Sequence, residues 1–485
     1  MSRQDMIRQV GLRELAGLVA GVGPLRRAAL NVASTKAHRF LVGEYGQNRP
    51  LRVRQDVHAH LMALLHGIDR AIDRGYMSRR AVKRAMDVFI GNVLLRHTED
   101  DKLIKDLGFV PPKFILVSPT GRCNLRCTGC YAESNPEEHG SLAFETFDRI
   151  LTEKRKYWGS YFTVVSGGEP LMWRDEGRGL LDLAEKHDNE FFMFYTNGTL
   201  INEDVAARLA ALGNVTPAIS VEGFEKETDA RRGKGTFEKI LAAFDYLRYY
   251  GVPFGVSATP TRDNWKVITS DEFADFYFDE QGAIYCWSFQ YMPIGRGQTV
   301  DLMVPPESRV EMLRRMQYLV RERKVFVADF WNSGATSCGC ISAGRSMGGY
   351  LYIDWNGNIS PCAFVPYSTD NIHEIYAKGG TITDALDSPL FCKIRDWQDG
   401  YGFDRPADKV DNWLCPCVIR DHFDVLKEAV VESGAKPMND EAAEALEDPE
   451  YCRRMIQYGK DIKRLTDPIW MEEYISVELG DGEGH

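Results

Sequence analysis

An α/β fold built on a parallel sheet is what this sequence predicts, with six β/α units curving into an open or closed barrel. Three observations carry the prediction. First, six apolar, strand-like runs succeed one another: "FILVSPT" (114–120), "YFTVVSGG" (161–168), "FFMFYTNG" (191–198), "VTPAISVEG" (215–223), "FGVSATP" (254–260) and "AIYCWSFQYMP" (283–293). Second, helical stretches separate them. The clearest is "TFEKILAAFDYLRYYG", where Phe237, Ile240, Leu241, Phe244 and Leu247 make one apolar face and Gly251 stops the helix. Strands alternating with helices in this way bury a parallel sheet under a helical layer. Third, the chemically distinctive stretches fall at the carboxyl ends of the runs, where such sheets place their active sites. They are "GRCNLRCTGCYA" (121–132), "SGGEP" (166–170), "YTNGT" (195–199) and "SVEG" (220–223).

The flanks read differently. Residues 1–98 are helical throughout, with Val57, Leu61, Leu64, Leu65, Ile68 and Ile72 at three- and four-residue steps. A further helix starts with Ser78 as N-cap and continues through Val82, Met86, Phe89, Ile90 and Val93. An earlier one, around Leu12 to Val32, breaks near Gly21–Pro24. The barrel occupies 99–335. From 336 to 432 the alternation gives way to Gly, Cys and turns, and "YLYIDWNGNISPC" reads as a small hairpin turning at Asn356–Gly357, with Asp354 serving the turn. Residues 433–485 are a charged helical segment to Thr466 and an acidic tail.

Composition narrows the function classes. The chain has 485 residues, 44% apolar and 27% charged, as in ordinary globular proteins. No run approaches the ~20 apolar residues of a membrane-spanning helix, and the N-terminus has no signal-peptide apolar core, so the expected compartment is the cytoplasm. Eleven cysteines, odd in number and clustered in short motifs, point to metal or redox use and not to a disulfide framework. Residues 1–98 hold 17 Lys/Arg against 7 Asp/Glu, while the whole chain carries a net charge of −11. A basic arm on an acidic body suits either a helical cap packed on the main domain or a peripheral helix on an anionic membrane surface. No nucleic-acid motif accompanies the charge, so nucleic acid is not expected as a partner.

The loop "GRCNLRCTGCYA" places three thiols, Cys123, Cys127 and Cys130, after the first strand. Three thiolates on a [4Fe–4S] cube leave one iron open to a small molecule. Spacing alone leaves a second reading, a zinc site with a distant fourth ligand. The glycines and Asn197–Gly198 at later strand ends have turn explanations one by one, but their succession asks for a common cause.

Taken together, these stretches resemble the radical S-adenosylmethionine superfamily over roughly residues 112–330. "CNLRCTGC" matches its signature spacing, "SGGEP" the segment after its second strand, and "TNGT" and "SVEG" its third and fourth. The resemblance implies a partial (β/α)6 barrel and an open cluster on Cys123, Cys127 and Cys130, whose free iron S-adenosylmethionine chelates. It implies cofactor contacts from the backbone of Gly167 and Gly168, which have no Cβ in the way, and from Glu169, Asn197, Ser220 and Glu222. Glu222 could also face the substrate, and Arg231 and Arg232 could reach the cofactor's carboxylate. Val256 in "GVSATP" is expected to pack on the adenine. The position before the last cysteine is often aromatic in the family and is Gly129 here; Tyr131 follows and is expected to supply a ring.

The C-terminal stretch "CGCISAGRSMGGYLYIDWNGNISPC", with Gly357 and Cys362 in a Gly-x4-Cys arrangement, and "CPC" at 415–417 resemble the SPASM/twitch auxiliary-cluster extension. Cys340, Cys362, Cys415 and Cys417 are then the expected ligands of one auxiliary [4Fe–4S] cluster, with Cys338 or Cys392 as replacements; zinc is the alternative. The family's Cys-x2-Cys-x5-Cys-x3-Cys run is missing, which argues against a second auxiliary cluster. Cys286 and Cys452 read as buried structural thiols, and Asp329 as a residue at the barrel mouth or a turn cap. The implied function is reductive cleavage of S-adenosylmethionine to a 5′-deoxyadenosyl radical, which takes hydrogen from an unactivated C–H of a peptide, protein or lipid. A ferredoxin- or flavodoxin-type donor would supply the electron. The reading from a different class is a non-catalytic iron–sulfur protein that transfers electrons or scaffolds a complex.

Overall fold

The computed structural model describes residues 23–44, 48–85, 88, 110–138, 140–346 and 348–476. The expectations for residues 1–22, for most of 86–98 and for the acidic tail beyond 476 lie outside these residues.

Seven parallel strands form the centre: β1 (Phe114–Val117), β2 (Phe162–Val165), β3 (Phe191–Thr196), β4 (Val215–Val221), β5 (Gly255–Ala258), β6 (Tyr285–Ser288) and β7 (Phe326–Asp329). Each pairs in parallel with the next. The first six are the predicted ones. The seventh, in "VFVADF", has four residues like β1, β2, β5 and β6, but it follows the charged run "RERK" directly and is not among the predicted runs.

Side-chain alternation divides the barrel cleanly. Leu116, Val164, Met193, Ser220, Ser257, Trp287 and Ala328 face an interior cavity. Ile115, Val117, Val165, Phe194, Ile219, Val256 and Cys286 face the main core. Helices cover that outer face: α3 (Phe144–Trp158) after β1, α5 (Glu203–Leu212) after β3 and α7 (Thr236–Tyr250) after β4. Gly251, at φ 67°, ends α7 as its sequence announces.

The cysteine-rich segment is joined to the barrel sheet. β8 (Tyr352–Ile353) pairs in parallel with β1, in the register Leu116↔Tyr352, and antiparallel with β9 (Asn358–Ser360), which carries β10 (Asp370–Asn371). One ten-stranded sheet results. The predicted hairpin is present: Gly357 has φ 82°, and Asp354 Oδ1 accepts from the backbone N–H groups of Asn356 (2.9 Å) and Asn358 (2.8 Å). Because β9 runs back along β8, Cys362, which follows β9, lies level with the start of β1, beside Tyr350, whose ring stacks on Phe114, at the end of the strand opposite the cysteine loop.

In the N-terminal region α2 (Leu51–Asp73) packs on the barrel at β7 and carries α1 (Gly23–His38) on it, and Val57 and His60 of α2 reach the cavity. The helix Arg79–Ala85 has the predicted cap, Ala81 N–H donating to Ser78 Oγ at 3.0 Å. Much of the arm's basic charge is engaged within the protein. Arg26 pairs with Asp69 of α2 at 2.5 Å, Arg70 and Arg74 lie 3.8 and 3.9 Å from Asp279 of the body, and Arg49 donates to the carbonyl of Phe403 at 2.8 Å. Among the described residues no helix is long and apolar enough to cross a membrane. At the other end, α8 (Pro306–Arg321), α9 (Phe423–Ser433) and α10 (Pro449–Trp470) pack together, with Cys452 buried under Lys427, whose Nζ donates to its Sγ at 3.3 Å.

Candidate functional site

The barrel interior, from the strand starts at Phe114, Phe162 and Phe326 to the loops at the carboxyl ends, encloses with the C-terminal extension a cavity of about 540 Å³. Its wall includes the thiols of Cys123, Cys127 and Cys130 and, from the extension, Cys340, Cys362 and Cys417. Two triads therefore face one volume.

The first triad sits on a loop held by its own backbone. Cys123 N–H donates to Asn135 O at 3.0 Å, and Thr128 N–H to Arg231 O at 3.0 Å. Arg296 acts as a clamp, with its guanidinium donating to the carbonyls of Cys127 (3.0 Å), Glu133 (2.7 Å) and Ser134 (2.6 Å). Donors also point at the sulfurs: Leu125 N–H at 3.4 Å and Asn197 Nδ2 at 3.8 Å from Cys123 Sγ, and Arg232 Nη1 at 4.0 Å from Cys127 Sγ. Such donors stabilise thiolates and tune cluster potentials. Burial pushes the Cys123 thiol up to about 12, so iron binding here must displace a proton. Three convergent thiols, donors aimed at sulfur and an adjoining cavity fit an open cluster. Among the described residues no three His, Cys, Asp or Glu side chains are set to grip one ion.

Gly129 has φ 65°, and a Cβ there would meet Tyr291 Cε2 at 2.6 Å. The ring expected before the last cysteine is thus replaced by a ring against it, supplied from beyond β6. Tyr131 lines the cavity. Its hydroxyl is 2.6 Å from Ser166 Oγ, and its ring meets Phe364 of the extension edge-on at 5.5 Å.

The "SGGEP" segment has a packing task of its own. A Cβ on Gly168 would stand 2.0 Å from Arg122 O, and one on Gly167, at φ 112°, 2.6 Å from Thr120 O. The closeness brings Gly168 N–H to Thr120 O and Glu169 N–H to Arg122 O, both at 2.8 Å. These glycines let the second strand's end lie directly on the cysteine loop, and both still line the cavity.

Glu169 corrects its expectation. It is fully buried, off the cavity wall, and both carboxylate oxygens are occupied: Oε1 accepts from Thr196 Oγ1 (2.8 Å) and Leu171 N–H (3.2 Å), Oε2 from Asn197 N–H (2.9 Å). It therefore positions Asn197. Burial pushes its carboxyl up to about 7 from an ordinary 4.5. Because the folded value lies above the unfolded one, folding favours the protonated form. That contribution is complete below about pH 4.5 and is lost as the pH rises through about 7. Denaturant unfolding between pH 4.5 and 8 is expected to show this fall, and Glu169→Gln to flatten it.

Glu222 is corrected in the same sense. It is fully buried and absent from the cavity wall, with Oε1 bound by Arg231 Nη1 and by Arg232 Nε (2.9 Å) and Nη2 (2.6 Å). The two arginines are the cavity-facing groups; Arg231 also donates to the carbonyls of Thr128 (3.1 Å) and Gly129 (3.3 Å). Val256 is the third correction. Its side chain lies in the helix-covered core, and the residue that β5 turns inward is Ser257, whose Oγ is 3.1 Å from Ser220 Oγ. Asn197 and Ser220 stand on the wall as expected. Asn197 Nδ2 reaches Asn124 Oδ1 at 2.9 Å, and its Oδ1 takes Thr199 N–H at 2.9 Å.

Asp329, at the end of β7, is buried on the same wall, with Gln290 Nε2 donating to its Oδ2 at 2.9 Å and the N–H groups of Trp331 and Asn332 to its Oδ1. Burial raises its carboxyl above the usual range. Sequence reasoning missed the aromatic lining contributed by Trp287, Phe289, Phe330, Trp331 and Phe364. The inward parity of β6 and β7 would have indicated it. Of the extension's expected ligands, Cys340, Cys362 and Cys417 reach the cavity; Cys338 and Cys415 do not.

A family profile for the radical SAM superfamily matches residues 117–266. Over 292 residues the chain is 30% identical to the mycofactocin maturase MftC of Mycobacterium ulcerans, spanning 58% of this chain and 76% of that one. It is 26% identical to an AdoMet-dependent heme synthase of Methanosarcina barkeri, over 54% and 80%. In fold it is similar to Streptococcus suis SuiB bound to S-adenosylmethionine (TM-score 0.51, 18% identity, 67% of this chain and 76% of that one). It is likewise similar to native anSMEcpe with bound AdoMet (TM-score 0.51, 17% identity, 76% and 100%). The chain belongs to the radical SAM superfamily of enzymes, which work with a [4Fe–4S] cluster and S-adenosylmethionine, and it carries a cysteine-rich C-terminal extension of the SPASM/twitch kind, the kind that holds an auxiliary cluster.

Proposed function

We propose that this enzyme removes a hydrogen atom from an unactivated C–H of a peptide side chain presented in the cavity between its two cysteine triads. The observation that carries the reading is the cavity itself: both triads line it, and its interior is aromatic and apolar.

In this reading Cys123, Cys127 and Cys130 hold the cluster whose fourth position S-adenosylmethionine occupies. That cofactor, given an electron by a ferredoxin- or flavodoxin-type donor, supplies a 5′-deoxyadenosyl radical. The chain's own residues do the rest. Arg231 and Arg232, neutralised in part by Glu222, offer guanidinium N–H groups to a carboxylate. Ser220, Ser257 and Asn197 offer hydrogen bonds at the strand ends, and Tyr131 and Tyr291 offer aromatic faces on either side of the loop. The rings of Trp287, Phe289, Phe330 and Phe364 exclude water and hold the reacting C–H without reacting themselves. Asp329, held by Gln290, is placed to accept a hydrogen bond or a proton from the substrate.

A cavity of about 540 Å³ is of the order that one drug-sized ligand fills. Pairing of Arg70 and Arg74 with Asp279 of the body, and of Arg84 with Asp188, weakens the alternative of a lipid substrate at an anionic membrane. Deuterium transfer tests the choice. Reduced enzyme with S-adenosylmethionine is given either a perdeuterated peptide digest or a perdeuterated lipid extract from its source cells. Deuterated 5′-deoxyadenosine is expected from the peptide arm; label arriving only from the lipid arm would reverse the assignment.

A further inference from the structure

We propose that the auxiliary cluster is held by three thiolates, Cys340, Cys362 and Cys417, and that its fourth iron faces the cavity as a coordination site for a carboxylate, imidazole or thiolate of the substrate. The inference rests on the reading that the extension holds a four-iron cluster, and it assigns which of this chain's residues do so.

Six cysteines lie in the extension, residues 336–432, and the fold separates them into two groups. Cys340, Cys362 and Cys417 stand on the cavity wall. Two of their sulfurs have polar neighbours suited to a thiolate: Tyr350 OH donates to Cys362 Sγ at 3.0 Å, and Ser342 Oγ is 3.1 Å from Cys340 Sγ. The other three are turned away. Cys338, at φ 56°, packs in a separate cluster with Val53, Leu313 and Trp413. Cys392 lies on the helix Pro389–Gln398 with Arg395 Nη2 at 3.4 Å from its sulfur. Cys415 is fully buried, its Sγ directed at Asn412 O (3.5 Å) and near Tyr401 Oη (3.6 Å).

Cys415 cannot swing inward cheaply. Arg309 and Asp421, both fully enclosed, pair at 2.5 Å, and Arg309 Nη2 donates to Leu414 O at 3.1 Å. Pro416 and Trp413 O also lie so close to Gly334 that a Cβ there would stand 2.4 and 2.6 Å from them. The segment is locked with Cys415 outward and Cys417 inward. Three thiolates presented from one wall leave the remaining corner of a cube on the cavity side, opposite the open position of the first triad.

The experiment isolates this cluster in the full chain by replacing Cys123, Cys127 and Cys130 with alanine, then measures iron and EPR after anaerobic reconstitution. Cys340→Ala, Cys362→Ala and Cys417→Ala in that background are each expected to lose most of the iron. Cys338→Ala, Cys392→Ala and Cys415→Ala are expected to keep it. Independently of any variant's folding, ¹³C-labelled cyanide added to the reduced cluster is expected to give a ¹³C hyperfine coupling. Loss of iron in Cys415→Ala or Cys338→Ala at unchanged circular dichroism, or the absence of any ¹³C coupling, would overturn the three-thiolate assignment while leaving the cluster in place. An iron-free triple variant would overturn it by removing the auxiliary cluster itself.

Discussion

Replacing Gly168 with alanine is expected to strip the iron from the first triad while leaving that of the extension. The added Cβ would stand 2.0 Å from Arg122 O and 2.5 Å from Arg122 C, both backbone atoms with no rotamer to yield. The second strand's end and the cysteine loop must then part, breaking the bonds Gly168 N–H to Thr120 O and Glu169 N–H to Arg122 O. Overpacking of this kind costs about 1–3 kcal/mol, and the lost bonds add about 1 kcal/mol each. The larger consequence is geometric, because Cys123 follows Arg122 directly. Iron analysis should show about half the wild-type content, as expected when one of two four-iron clusters is lost, together with a lower thermal midpoint. Full iron content in a stable Gly168→Ala protein would refute the packing role.

Glu222→Ala should produce the second large effect. Its carboxylate lies between Arg231 and Arg232, and removing it leaves two poorly solvated guanidinium groups against each other. The expected cost is about 3–5 kcal/mol in denaturant unfolding. S-adenosylmethionine affinity should fall at least tenfold, about 1.4 kcal/mol, since the same arginines face the cavity and brace the loop at Thr128 and Gly129. Glu222→Gln, which keeps an acceptor, should fall between. An unchanged affinity in Glu222→Ala would detach the arginine pair from the cofactor.

What the sequence disclosed follows from which forces are local. The six apolar strand runs, the turn at Gly357, the Ser78 cap and the stop at Gly251 are written in adjacent residues and were readable. The triad Cys123, Cys127 and Cys130 was readable because its spacing is its chemistry. Parity was not readable in β5: a strand buried on both faces gives an apolar run with no alternation, so Val256 and Ser257 looked alike until their neighbours were placed. Glu169 and Glu222 look like ligand groups in a strand-end motif. Only the fold shows their carboxylates occupied by Thr196, Asn197, Arg231 and Arg232. Tyr291 against Gly129, and α2 reaching the cavity with His60, are contacts across 162 and more than 200 positions, respectively, which no local pattern encodes. The division of the extension's cysteines into inward and outward groups is likewise set by the Arg309–Asp421 pair and not by spacing.

The central claim is that S-adenosylmethionine is opened at the loop triad, in a cavity that the extension's triad shares. Anaerobic, reconstituted and reduced enzyme, incubated with S-adenosylmethionine and assayed for 5′-deoxyadenosine, tests it most directly. The account predicts the product from the wild-type chain, none from Cys127→Ala, and a reduced but measurable yield from Cys362→Ala. Equal yields from the wild-type chain and Cys127→Ala, or none from the wild-type chain under any reductant, would contradict it.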